Sequence, residues 1–113
     1  MEYIIDAKNQ TLGRLSTKIA ILLQGKNKSA YDPSRIVKDS VIVKNAKLIK
    51  LTGNKAKTKI YQRHTGYMGH LRTAKYSEVY AKHPERILES AVRGMLPKNF
   101  LRDKRMRLLV IEK

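Results

Sequence analysis

The sequence predicts an α/β protein, a three-layer α/β/α sandwich around a small, mostly parallel sheet with basic loops. Short β-branched runs alternate with segments of helical periodicity along the chain. Strands separated by helices favour parallel pairing, because parallel neighbours need a crossover connection. The length of 113 residues suits one compact domain, since most domains contain roughly 50–200 residues. We therefore expect a single domain over residues 1–113.

The first half of the chain is predicted to contain a strand, a helix and two more strands. Residues 2–6, EYIID, form a β-branched run, and Thr11 is the expected N-cap of a helix that stops at Gly25. Apolar residues recur at helical spacing between them, at Leu12, Leu15, Ile19, Leu22 and Leu23. Residues 40–44, SVIVK, are typical of a buried strand, and residues 47–51, KLIKL, predict the next one.

The second half is predicted to be mainly helical before a last strand. Residues 59–64, KIYQRH, are too polar for a central strand, so we place them at a sheet edge or in an ordered loop. Ser77 is the expected cap of a short helix over 78–83, and Pro84 starts a longer one. The longer helix has an apolar stripe, made of Ile87, Leu88, Ala91, Val92 and Met95. Glu89 and Arg93 have the spacing of an i,i+4 ion pair, and residues 107–112, RLLVIE, predict the closing strand.

Positive charge dominates the composition. The chain has 25 Lys and Arg against 9 Asp and Glu, a formal net charge of +16. Self-repulsion of this size is tolerated best beside a polyanion, which makes nucleic acid the first candidate partner and an anionic membrane the second. The membrane alternative lacks an amphipathic surface helix, a spanning segment or a secretory leader, so we expect no membrane partner. No cysteine is present, which excludes disulfides.

The positive charge is concentrated where acids are missing. No carboxylate occurs between Asp39 and Glu78. Nine basic residues fall in this gap: Lys44, Lys47, Lys50, Lys55, Lys57, Lys59, Arg63, Arg72 and Lys75. A solvated basic face would explain any single lysine, but so long an acid-free stretch repels itself unless an anion lies against it. Phosphate backbone meets that need.

Aromatic rings and glycines lie within the same gap. The rings belong to Tyr61, His64, Tyr67 and His70. Gly66 and Gly69 allow close approach of the backbone or a positive φ. Such loops suit RNA, whose unpaired bases stack on aromatic and guanidinium planes. The alternative is that a tyrosine packs on the sheet, which we expect for Tyr61.

A second basic cluster begins at the C-terminal end of the longer helix and is predicted to continue through a loop. It contains Arg93, Lys98, Arg102, Lys104, Arg105 and Arg107, opposed only by Asp103. Favourable interaction with the helix dipole would explain Arg93 and Lys98, but not the later charges. We therefore count the whole cluster as a second candidate contact with nucleic acid.

The alternative hypothesis from another class is a nucleotide-binding enzyme on a degenerate dinucleotide-binding scaffold. Residues 6–16, DAKNQTLGRLS, occupy the position of a glycine-rich phosphate loop, but Gly13 is their only glycine. Three histidines without cysteine or nearby acids make a poor metal site. We expect no catalytic residue, metal, cofactor or small-molecule substrate.

Four segments together resemble the bacterial type of the L-thirteen family of large-ribosomal-subunit proteins. They are IIDAKNQTLGRLSTKIA, VIVKNAKLIKLTGNK, YQRHTGYMGHLR and HPERILESAVRGMLPK, in that order. The resemblance implies the α/β/α sandwich, binding to large-subunit rRNA beside neighbouring ribosomal proteins, and a role early in subunit assembly. It places the protein on a ribosome, in the cytoplasm or in an organelle.

The resemblance also implies site residues. An RNA-facing loop follows the third predicted strand, at Asn54, Lys55, Tyr61, His64, Thr65, Gly66 and Gly69, and a signature turn lies at Gly94, Met95, Leu96, Pro97 and Lys98. Joined to the basic and aromatic residues above, the expected RNA-binding set is Asn54, Lys55, Lys57, Lys59, Tyr61, Arg63, His64, Thr65, Gly66, Tyr67, Gly69, His70, Arg72, Arg93, Lys98, Arg102, Lys104, Arg105 and Arg107. The family's proline-leucine-glycine turn is replaced here by NFLRDKR, and its Asp-x-Gly-Asp element retains only Asp39.

Overall fold

A computed structural model describes residues 1–113 and contains five strands and five α-helices. The strands are β1 (Glu2–Asp6), β2 (Ser40–Lys44), β3 (Ile60–His64), β4 (Leu71–Lys75) and β5 (Leu109–Ile111). The helices are α1 (Leu12–Gln24), α2 (Lys55–Thr58), α3 (Tyr76–Lys82), α4 (Glu85–Met95) and α5 (Leu101–Met106). None of these helices has the length and apolar character needed to cross a lipid bilayer.

The central sheet is parallel and has the strand order β1-β2-β5. Its register aligns Tyr3 with Val41 and Leu109, and Ile5 with Val43 and Ile111, so these side chains share one face of the sheet. All six contribute to the core or pack against it. The opposite face carries Ile4, Ile42 and Val110 and is less covered, with Ile4 and Val110 exposed. The predicted α/β class around a small, mostly parallel sheet is confirmed.

Helices α1 and α4 supply most of the remaining core. Leu12, Leu15, Ile19, Ala20 and Leu23 of α1 are buried, as are Ile87, Leu88 and Val92 of α4. Their spacing places them on one face of each helix, and the two helices pack against each other. The two amphipathic helices predicted from periodicity are therefore confirmed.

The ends of α1 match the predicted boundaries by different means. Thr11 occupies the N-cap position, but its hydroxyl makes no capping hydrogen bond. Gly25 ends the helix with φ of 74°, and its backbone N–H donates to the Leu22 carbonyl. The left-handed φ disfavours any residue with a side chain at this position. A β-carbon there would also clash with the side chain of Val37.

The strand predicted over residues 47–51 is wrong. The chain leaves β2 through Asn45, which has a left-handed φ of 58°, and then forms a short 3-10 turn over Ala46–Leu48. Lys50 makes only an isolated parallel bridge with Thr11. Ile49 and Leu51 still pack against the core, so their apolar pattern reflects burial of a loop and not a sheet ladder.

The region after residue 52 contains three elements that the sequence did not predict. Helix α2 and strand β4 flank β3, and β3 pairs with β4 in a separate antiparallel hairpin. Ser77 is not a cap, because α3 begins one residue earlier with Lys75 at the N-cap position. Helix α5 replaces the loop predicted after the signature turn. Pro84 lies immediately before α4, within one residue of its predicted place.

The segment between α1 and β2 is held by Asp39. Its buried carboxylate accepts contacts from the Lys28 ammonium at 2.6 Å and the Met1 amine at 3.2 Å. The hydrogen bond from Lys28 lowers the pKa of the Asp39 carboxyl below its ordinary value, although burial opposes the effect. Thus the one aspartate retained from the family element anchors this segment.

Candidate nucleic-acid interface

The β3–β4 hairpin brings like charges together. Arg63 lies directly opposite Arg72 in the antiparallel register, and both side chains are exposed. Like charges at opposed positions destabilise a strand pair. Neither arginine forms an ion pair with a carboxylate. The hairpin therefore presents two exposed arginine side chains at opposed strand positions, whose charges an external anion can neutralise.

Hydrogen bonds shape the tip of this hairpin. The Thr65 backbone N–H and hydroxyl both donate to the His70 carbonyl, each at 3.2 Å. The Gly66 N–H donates to Nδ1 of His64 at 3.0 Å. Gly66 and Gly69 have φ values of 91° and 75°, a region that favours glycine, although no other atoms crowd either residue. Glycine is thus required here by backbone conformation and not by packing.

The tip carries exposed apolar and aromatic surface. Met68 is 98% exposed and Tyr67 is 74% exposed. The rings of Tyr67 and His70 meet edge to face, with centroids 6.5 Å apart and planes at 82°. A depression of about 430 Å³ lies beside them, lined by Thr65, Tyr67, Gly69, His70, Leu71 and Arg72. Positive charge, exposed aromatic rings and uncrowded glycines therefore occur together at this tip.

Tyr61 anchors the base of the hairpin. It is half-buried against the core, where burial raises the pKa of its phenol above the ordinary value and the neighbouring Tyr76 phenol adds to the shift. Its hydroxyl is buried without a hydrogen-bond partner. Lys59 lies over the ring, 5.7 Å from its centroid. The expectation that Tyr61 packs against the body of the protein is confirmed, so its ring is not free to stack on a base.

Sequence reasoning missed a second depression at the start of α1. It is lined by Thr11, Gly13, Arg14, Thr52 and Lys55. No acidic residue lies in the first turn of α1, and Arg14 there adds to the positive end of the helix dipole. The available signal was a basic residue, Arg14, in the first turn after the Thr11 cap. Its proximity to Lys55 depends on the tertiary fold.

Only part of the second basic cluster is exposed and free to contact a partner. Arg93 contacts the Asp103 carboxylate at 2.7 Å through its guanidinium, in place of the predicted pair with Glu89. Lys98, Lys104 and Arg107 are exposed, while Arg102 is half-buried. Lys104 lies 5.8 Å from the centroid of the Phe100 ring. Because side chains along α5 point to different faces of the helix, the basic residues of this cluster do not form one continuous exposed surface.

Arg105 was predicted to contact RNA, but the structure shows that it is buried. Its side chain is 2% exposed, and one guanidinium nitrogen donates to the Pro33 carbonyl at 3.3 Å. The predicted loop would have exposed it, but the helix turns it inward beneath the segment that follows α1. Arg105 therefore has a structural role in this fold and cannot reach an external phosphate.

Replacing Arg105 with alanine is expected to lower the free energy of unfolding by about 1–3 kcal/mol, because the change removes buried packing and the bond to Pro33. Arg105→Met should retain more stability, since a residue of similar volume fills the site without a buried charge. Urea denaturation measures both. The control Lys104→Ala removes one exposed charge from the same helix, and a loss of stability equal to that of Arg105→Ala would contradict the assignment.

The other candidate residues are mostly accessible. Exposed positions are Asn54, Lys55, Lys57, Arg63, His64, Thr65, Gly66, Tyr67, Gly69, His70, Arg72, Arg93, Lys98, Lys104 and Arg107. Lys59, Tyr61 and Arg102 are half-buried. The candidates from 59 to 72 belong to the hairpin or directly precede it. Asn54, Lys55 and Lys57 lie at α2, with Lys55 beside the start of α1. The α4–α5 corner carries the candidates from 93 to 107.

Comparison with known proteins agrees with the motifs. A family model described as "Ribosomal protein L13" matches residues 1–111. A relative from Acaryochloris marina, named "Large ribosomal subunit protein uL13", is 50% identical over 99 residues, covering 88% of this chain and 66% of the relative. Relatives of the same name from Francisella tularensis subsp. holarctica and Roseiflexus sp. are 50% and 52% identical, covering 84% and 88% of this chain and 67% and 68% of their own lengths. The chain thus spans about two thirds of the length of these curated relatives.

Proposed function

This chain belongs to the L-thirteen family of ribosomal proteins, and from that premise we propose that it is a structural constituent of the large ribosomal subunit. In this proposal, residues 1–113 act as one domain that binds large-subunit rRNA through basic loops and supports early subunit assembly. Because the family consists of ribosomal proteins, membership in it argues against the alternative hypothesis of a nucleotide-binding enzyme.

The opposed arginines of the hairpin are the observation that best supports RNA binding. Arg63 and Arg72 face each other with no carboxylate in contact, a cost to the free protein that bound phosphate would reverse. The surrounding exposed lysines extend the same potential over the acid-free segment. A polyanion is the partner that neutralises many such charges at once.

Two further surfaces extend the proposed contact. The depression at the start of α1 is lined by Arg14, Lys55, Thr11 and Thr52. The Leu12 N–H there donates to the Lys50 carbonyl, but the Gly13 and Arg14 N–H groups have no backbone acceptor, which suits a phosphate group. The α4–α5 corner adds Lys98, Lys104 and Arg107. These separate surfaces suit an rRNA that wraps part of the domain, with neighbouring ribosomal proteins at its edges and with no membrane or small molecule as partner.

The ribosome of this proposal lies in the cytoplasm or in an organelle. Sedimentation of tagged protein from a native lysate through a sucrose gradient tests association with the subunit directly. Co-migration with the large subunit at moderate salt supports the proposal. Protein that stays at the top of the gradient at every salt concentration contradicts it.

RNA binding should depend steeply on salt. If roughly ten basic side chains contact phosphates, a plot of log affinity against log salt concentration should have a slope of about −7 to −9, because each contact releases condensed counterions. Filter binding to a large-subunit rRNA fragment across a salt series measures this slope. A slope near zero would overturn the proposed mechanism of charge neutralisation.

A further inference from the structure

The depression at the hairpin tip has the composition of a base-binding pocket more than that of a phosphate site. It has one guanidinium, two aromatic rings and an aliphatic side chain among its lining residues, which are Thr65, Tyr67, Gly69, His70, Leu71 and Arg72. A site for phosphate alone would need donors and positive charge but no aromatic walls. Its volume of about 430 Å³ lies within the range of small-ligand sites.

The two rings are arranged so that a flat ligand can stack. Tyr67 and His70 meet edge to face, at 82° with their centroids 6.5 Å apart, so the two rings are not stacked on each other and at most one face of one ring is approached by the edge of the other. Tyr67 is 74% exposed and is absent from the hydrophobic core. Its ring therefore contributes little to folding and retains most of its apolar surface for a partner.

The backbone limits how far these rings can move. The Thr65 N–H and hydroxyl close the loop onto the His70 carbonyl, and the His70 N–H donates to the Tyr67 carbonyl at 3.2 Å. These bonds hold the two aromatic residues on either side of a tight turn. An ordered platform loses less conformational entropy on binding than a free loop does.

Neighbouring groups complete a nucleotide-sized environment. Arg72 lines the depression and lies across the strand pair from Arg63, so guanidinium charge is available for an adjoining phosphate. Met68 and Leu71 add exposed apolar surface. No carboxylate occurs between Asp39 and Glu78 to repel an anionic ligand.

Building on the proposed function, we infer that the hairpin tip binds an unpaired RNA base, stacked on the Tyr67 ring beside His70, with Arg72 at the adjoining phosphate. A base within a duplex cannot enter, because its faces are stacked on its neighbours and A-form grooves hide them. The tip thus selects a bulged or looped nucleotide, while the surrounding lysines bind backbone without such selection.

The test compares single-stranded and duplex RNA. The probe is a short RNA with one 2-aminopurine, used alone or annealed to its complement. Wild-type protein is expected to prefer the single strand and to quench its fluorescence on stacking. Tyr67→Ala should reduce affinity for the single strand by on the order of tenfold to a hundredfold, whereas Tyr67→Phe should keep most of the affinity and the quenching. Tyr31→Ala, a change at another exposed tyrosine outside the hairpin, should leave both unchanged.

The salt series separates this inference from the proposed function. Stacking releases few counterions, so Tyr67→Ala should bind more weakly with the same salt slope as wild type. If wild-type protein binds RNA with a steep slope but Tyr67→Ala matches it in affinity and quenching, the base pocket is overturned while RNA binding stands. If wild-type protein binds neither RNA form, the proposed function fails as well. Equal affinity of wild-type protein for single strand and duplex also overturns the base pocket.

Discussion

Replacing Leu88 with alanine is expected to lower the free energy of unfolding by about 2–5 kcal/mol, the range for truncation of a large aliphatic side chain in a core. Leu88 is 0% exposed and lies in α4, in the same buried cluster as Leu15 and Ile19 of α1. The loss combines transfer of the missing methyl groups to water with the cavity they leave. Folded proteins are only marginally stable, so this change in a chain of 113 residues should also reduce the yield of folded protein.

Urea denaturation followed by circular dichroism measures the effect. Leu48→Ala is the matched control, because Leu48 is 51% exposed and the same atoms are removed. Its effect should stay within about 0.5 kcal/mol. A cost for Leu88→Ala no larger than that for Leu48→Ala would show that the helix pair α1–α4 is not the centre of the core.

The double change Arg63→Gln and Arg72→Gln is expected to weaken RNA binding on the order of tenfold or more, since a hydrogen bond to a charged group contributes roughly 1.5–3 kcal/mol. The magnitude of the salt slope should fall by about 1.4 to 1.8, because two phosphate contacts are lost. The free protein should be as stable as before or slightly more so, since the two arginines oppose each other across the hairpin.

The matched control changes the same charge elsewhere. Lys26→Gln with Lys38→Gln also removes two exposed positive charges, but from the segment between α1 and β2. Filter binding and thermal melting of both double variants separate the hairpin from net charge. An equal loss of affinity and slope in the two proteins would mean that overall charge, and not the hairpin, governs binding.

The arginine pair also explains why this hairpin is costly to the protein alone. Two guanidinium groups at opposed strand positions repel each other, and the Tyr61 hydroxyl at the hairpin base is buried without a partner. Local structure that reduces the stability of the free protein often marks a functional surface. The proposed contact of the hairpin with RNA phosphates would offset the repulsion between the two arginines.

Local patterns determined the parts of the fold that depend on local physics. The apolar residues of α1 and α4 recur at the helical period, so both helices could be placed from the sequence. The β-branched runs allowed strands β1, β2 and β5 to be placed in the same way. Residues 47–51 misled the same reasoning, because a loop that packs Ile49 and Leu51 against the core has the apolar content of a strand. Periodicity reports burial, and burial is not confined to regular elements.

The candidate interface divides along the same line. The order of residues along the chain was enough to show that residues 40–77 contain no Asp or Glu. It also showed that aromatic residues and glycines lie among the basic residues of this stretch. Only the tertiary structure decided that Arg63 faces Arg72, that Arg14 joins Lys55 at the start of α1, and that Arg105 turns inward. The physical reason is that charge and hydropathy are properties of each residue, whereas strand register and helix orientation arise from long-range packing that joins distant parts of the chain.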